Sequence, residues 1–246
     1  MSIYSEQRNN YQSRFIENVN DVNAYKELIL KMLLFNELIK ELVKWKMEKN
    51  GQTEQEVLKD LSFVPLMKCL YIVCLLTVDT ENNSNNNESL FEPFNGFIAY
   101  SKGPVNEDCY FFMDKLPDYT IEVNKDGVEE LTRKHSYRKT LSLRIDSLVN
   151  EINKDMAGSI NNNIDLISDY NKYEKMLDKA IDVLKGASFF PGFRERERLI
   201  DLTHMRVWKD AYYDEKQGSH EMNTSMDRNK MKLLEEAMFL KWNIAV

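Results

Sequence analysis

Glycine and proline are scarce in this chain, at 8 and 5 of 246 residues. A sandwich or barrel needs a tight reversal every few residues, so their scarcity, beside abundant Leu, Lys, Glu and Met, favours helices. Cysteine occurs three times, and Cys69 and Cys74 share one apolar stretch. That is no disulfide framework, and it predicts a reduced, cytoplasmic protein. Histidine is limited to His135, His204 and His220, scattered along the chain. A zinc site needs about four N or S ligands at local spacings that are absent here, so no metal is expected. No hydrophobic run is long. The most apolar stretch, 64–78, is too short to span a bilayer, and Lys68 interrupts it. The first twenty residues are polar and charged, without the apolar core of a signal peptide.

What is present points the same way. Apolar residues make up 43% of the chain, enough for a sizeable core, and charged residues 30%. The net charge of −7 repels phosphate on average, which disfavours a general nucleic-acid binder. One basic patch, Arg133, Lys134, His135, Arg138 and Lys139, reads as solvated surface.

Periodicity places most elements. A short helix is expected over 7–19 and a long one over 21–49, capped by Asp21 and ended by Asn50-Gly51. Its residues Leu28, Met32, Phe35, Ile39, Leu42 and Lys46 recur every three or four positions, with Lys46 marking where that face meets water. Leu30, Leu33, Leu34 and Leu38 widen the stripe, so this helix should be buried on more than one side. Thr53 and Glu56 have capping-box spacing for a helix up to Leu61. Ser62 and Pro65 suit the start of a nearly all-apolar helix containing Leu66, Leu70 and Val73. The Asn-rich tract 81–87 is a flexible loop. Residues 91–100 fit either an extended segment or a short helix. Pro104 is expected in the first turn of a helix through Val105, Cys109, Phe112 and Met113. Residues 119–131 read as a small hairpin, with a helical start at Val128 as the competing reading. Further helices are expected near 142–155, 164–184, 194–213 and 228–242, separated by Lys185-Gly186 and Pro191-Gly192.

Motifs of catalysis are missing. There is no phosphate-cradling glycine loop, no metalloprotease helix and no nucleophile elbow. Adjacent acids such as Glu129-Glu130 and Glu235-Glu236 point about 100° apart on a helix and cannot converge on one atom. Cys109 with a distant histidine would be a nucleophile pair only if the fold joined them. No catalytic residue, metal or cofactor is therefore assigned.

One pattern is more specific than its parts. It runs Pro65-Leu66-Met67-Lys68-Cys69-Leu70-Tyr71, then Leu90-Phe91, Phe97-Ile98-Ala99-Tyr100, Gly103-Pro104-Val105 and Tyr110. About a hundred residues on, Glu197-Arg198-Leu199-Ile200-Asp201-Leu202-Thr203-His204 precedes Trp208-Lys209. In order and spacing these fragments resemble the Panacea domain of SocA-like, often phage-associated antitoxins. Cys69 stands where that family usually has leucine, and the Asn-rich loop is longer than usual for it. The resemblance covers roughly 56–213.

It implies a mainly α fold: one helical domain over 53–213 with a small hairpin or extended element. Residues 1–52 would be an N-terminal helical extension packing on the core, and 214–246 a C-terminal loop and helix. It also implies a protein that neutralises a cognate protein toxin by direct binding, the toxin being encoded by an adjacent gene and a protease being a further possible partner. Neither membrane nor nucleic acid is an expected partner. Lys68, Tyr71, Gly103, Pro104, Val105, Tyr110, His204 and Trp208 are the motif and partner-contact residues it nominates. Each also has a structural reading. Gly103-Pro104 suits a sharp turn, the tyrosines suit the edge of a core, and His204 and Trp208 share one helix face. Tyr212, Tyr213, Met222, Met226 and Phe239 would supply an apolar binding patch, or dock a terminal helix. A protein-interaction adaptor without a toxin, and an enzyme with an unrecognised site, are the alternatives.

Overall fold

The computed structural model describes residues 22–61, 63–77, 89–100, 103–123, 129–134, 140–156 and 165–186. The helices expected at 7–19, 194–213 and 228–242, the caps at Asp21 and Ser62, and the Asn-rich loop lie outside them. The described protein is mainly α-helical, with two small antiparallel hairpins. In order they are α1 (Val22–Asn50), α2 (Glu54–Asp60), α3 (Phe63–Leu76), β1 (Phe97–Tyr100), β2 (Gly103–Asn106), α4 (Glu107–Phe112), β3 (Tyr119–Val123), β4 (Glu129–Arg133), α5 (Leu141–Met156) and α6 (Ile167–Gly186). The chain divides into two compact units, each built from two separate stretches: Met1–Phe63 with Asp108–Lys175, and Val64–Glu107 with Met176–Val246. Only their described residues are considered below.

The first unit is organised on α1. Leu28, Leu30, Met32, Leu33, Leu34, Phe35, Leu38, Ile39 and Leu42 are all buried, which spans more than one face of the helix. The helix ends where a left-handed residue is needed: Gly51 has φ +64°, and its N–H donates to the Met47 carbonyl at 2.9 Å. Lys46 stands at the surface end of that face. Its ammonium meets Asp60 of α2 at 3.0 Å and keeps 12% exposure. At the start of α2 the capping box forms, with Thr53 Oγ1 accepting from Glu56 N–H and Glu56 accepting from Thr53 N–H.

The expected hairpin at 119–131 is β3–β4, with Tyr119 opposite Arg133 and Ile121 opposite Leu131. Tyr119, Ile121 and Leu131 are buried, so the period of two decided against a helical start here. On its other edge β3 is engaged by the preceding turn, since Ile121 N–H donates to the Met113 carbonyl at 2.9 Å. The hairpin packs on α2 through β4, and Arg133 closes a two-pronged contact with Glu54 at 2.6 and 2.8 Å. Helix α5 packs on α1 and buries Ile145, Leu148, Val149 and Ile152. Helix α6 belongs to this unit up to Lys175, and there Tyr170 and Tyr173 are buried.

The second unit corrects one expectation. Pro104 and Val105 are not in a helix: residues 103–106 form β2, which pairs with β1, and the helix begins only at Glu107. The fixed φ of proline suits an edge strand as well as a first helical turn. Partner strand β1 follows Gly96, at φ +81°, and fully buried Asn106 donates to the Asn95 carbonyl at 2.8 Å, pinning the chain where β1 begins. The ambiguous stretch 91–100 resolves into a turn through Phe94 and then β1.

Candidate functional site

The second unit gathers most of the motif residues. On α3 every described residue from Leu66 to Leu75 is buried, including Lys68 at 8% exposure. Tyr71, fully buried, packs edge-on against Phe97 of β1 at 5.3 Å and Phe91 at 6.0 Å, and Phe91 meets Phe97 at 5.9 Å. Three rings from a helix, a turn and a strand thus close a triangle in the edge-to-face geometry that aromatic quadrupoles favour. Thr77 fixes the turn to the helix, donating to the Cys74 carbonyl at 2.8 Å and accepting Leu90 N–H at 2.9 Å. Opposite β1, Pro104 pairs with Ala99 and Val105 with Ile98, both Pro104 and Val105 being buried.

The sequence matches no family model, and no curated protein or solved structure matches it.

Of the nominated residues, Lys68, Tyr71, Gly103, Pro104 and Val105 fall in this one unit. Tyr110 belongs to α4, whose residues from Asp108 onward belong to the other unit, and its side chain is outside the described set. His204 and Trp208 also lie outside the described residues. Burial gives Tyr71 and Val105 a direct role in the core of their unit. In the basic patch, Arg133 is held by Glu54, and Lys134 Nζ donates to the Asp114 carbonyl at 3.0 Å.

A second constellation, in the first unit, was not nominated from sequence. Asn36 and Glu37 interrupt the apolar face of α1 and are 1% and 6% exposed. The Asn36 amide donates to Asp118 Oδ2 at 2.8 Å and accepts Asp118 N–H at 2.9 Å. From the first turn of α5, Arg144 reaches Asp118 Oδ2 at 3.0 Å and Glu37 Oε2 at 3.6 Å. Glu37 also pairs with Lys40. The signal was visible in part: two polar residues in the middle of a leucine-rich helix need partners.

The surroundings are low in dielectric. Burial, aided by the charge of Glu54, pushes the Tyr119 phenol well above its usual range. Burial and the charge of Glu37 do the same to Tyr170, whose hydroxyl donates to Glu174 at 2.8 Å. Burial likewise raises the Cys69 and Cys74 thiols, so neither is a ready nucleophile. Among the described residues no three His, Cys, Asp or Glu side chains are placed to hold a metal ion. No described helix is long and apolar enough to cross a membrane.

Proposed function

We propose that this protein is an antitoxin that neutralises a cognate protein toxin by stoichiometric binding. The reading rests on the resemblance of its motif residues to the Panacea domain, and one observation supports it. Fragments separated by up to 34 residues, at Tyr71, Leu90-Phe91, Phe97 and Pro104-Val105, meet in one compact unit. Five of the eight nominated residues, Lys68, Tyr71, Gly103, Pro104 and Val105, thus fall in that unit. In this reading the set shapes the unit, and binding falls to side chains presented around it. Catalysis is not invoked, since the thiols are buried and Glu37 and Asp118 are paired with cations or an amide.

The experiment is expression of the neighbouring reading frames, singly and with this chain. A small frame that stops growth alone, is harmless with this protein and co-purifies with it at a fixed molar ratio is the expected result. Failure of every neighbour to be toxic, or to be rescued, overturns the antitoxin reading. Rescue far below equimolar amounts, dependent on a host protease, would instead establish an adaptor that delivers the toxin for degradation.

A further inference from the structure

The sequence contains two Asn-Gly steps, Asn50-Gly51 and Asn95-Gly96. Glycine after asparagine leaves its backbone nitrogen unhindered for attack on the preceding side-chain amide, because no Cβ blocks the approach. Both asparagines are exposed, so access to water does not separate them. Their hydrogen bonds do. Gly51 N–H is committed to the cap of α1, donating to the Met47 carbonyl at 2.9 Å, and the Asn50 side-chain amide donates to Gln52 Oε1 at 3.1 Å. Gly96 lies between the turn through Phe94 and β1, and its N–H makes no hydrogen bond among the described residues. The Asn95 carbonyl, the other half of the same peptide group, accepts from the fully buried Asn106 side-chain amide at 2.8 Å.

We propose that Asn95 is a site of spontaneous deamidation promoted by Asn106, and that the cap of α1 spares Asn50 the same reaction. Solvent hydroxide takes the Gly96 N–H proton. The negative charge left behind spreads onto the Asn95 carbonyl oxygen, where the Asn106 amide stabilises it, as hydrogen bonds to charged acceptors are the stronger ones. The Gly96 nitrogen then bonds to Asn95 Cγ. The Cγ–Nδ2 bond breaks, and Nδ2 leaves as ammonia on taking a proton from water, which restores the hydroxide. Water opens the cyclic imide at either carbonyl, giving aspartate or isoaspartate. In isoaspartate the chain runs through the former side chain, and the main-chain carbonyl that Asn106 holds becomes a free carboxylate. A methylene and a charge thus enter the backbone just before β1, whose Phe97 packs against Tyr71 and Phe91. The reaction strikes the unit that holds Lys68, Tyr71, Gly103, Pro104 and Val105.

The test is peptide mapping by mass spectrometry on the full chain, aged in mildly alkaline buffer, with isoaspartate counted by enzymatic methylation. In the folded protein Asn95 loses its amide on the order of tenfold faster than Asn50, the factor that one hydrogen bond withholding the nucleophile supplies. In urea the two rates converge. Asn106→Leu, checked for folding by circular dichroism, slows the loss at Asn95 several-fold and leaves Asn50 unchanged. Should that variant not fold, Asn106→Asp, which keeps the size and replaces the donor by an acceptor, is read in the same way. Equal loss at both sites of the folded chain overturns the proposal. So does a ratio that urea leaves intact, since sequence alone would then account for it. Unchanged or faster loss at Asn95 in the folded Asn106 variant overturns the part given to Asn106.

Discussion

Asn36 and Asp118, 82 positions apart, are joined by two hydrogen bonds of opposite sense, the amide group donating to the carboxylate and its oxygen accepting the backbone N–H. The Asp118 carbonyl in turn accepts Lys134 N–H at 2.8 Å, so the pair ties α1 to the open end of the β3–β4 hairpin. Replacing Asn36 by Leu strips a buried N–H of its partner and a buried carboxylate of one of its partners, and should cost about 1–3 kcal/mol by urea denaturation. Asn36→Asp should also destabilise at neutral pH, because it sets a second carboxylate against Asp118, and should regain stability in acid. A neutral outcome for both substitutions would show that the pair contributes nothing.

Leu70 is fully buried on α3. Leu70→Ala should lower stability by about 2–5 kcal/mol, the range for a leucine whose cavity only partly collapses. A thermal melt superimposable on that of the natural chain would contradict its placement at the centre of the helix's buried face.

Asp60 gives a pH dependence with a defined sign. Hydrogen bonds from Lys46 first, and then from Gln52, hold its carboxyl below the ordinary value. A carboxyl depressed in the folded state adds stability above its unfolded pKa, and that increment disappears as pH falls through the folded one. Asp60 is half exposed, so solvent screening keeps the increment under about 1 kcal/mol. Asp60→Asn should therefore be slightly less stable than the natural chain at pH 7 and equal to it near pH 2, measured by matched urea titrations.

Cys69, Cys74 and Cys109 are buried free thiols. Since the thiolate is the reactive form and burial opposes it at Cys69 and Cys74, a disulfide reagent should label these two at measurable rates only when the protein unfolds. Stoichiometric labelling of either within seconds under native conditions would mean that α3 opens readily.

Gly51 isolates a purely backbone effect. Nothing lies within 4 Å of the Cβ that an alanine would add, yet φ is +64°. Gly51→Ala should cost about 1–2 kcal/mol through strain alone, and Gly51→Asn less, since asparagine tolerates that conformation. Equal melting temperatures for all three would show that the end of α1 unwinds freely.

Local rules were enough for much of the fold. The leucine pattern of α1, its stop at Gly51, the Thr53–Glu56 box and the alternation at Tyr119 and Ile121 each depend on neighbours within a few residues, and all four were legible in the sequence. Pro104 was not, because its fixed φ fits a first helical turn and an edge strand alike. Only the pairing with Ala99 across the hairpin selects between them. The Tyr71, Phe91 and Phe97 triangle could be nominated residue by residue, but its closure required the chain to return. The Asn36, Glu37, Asp118 and Arg144 network lay furthest from view. Sequence shows that a polar residue in an apolar helix must find a partner, whereas which partner depends on long-range contacts that no local period encodes.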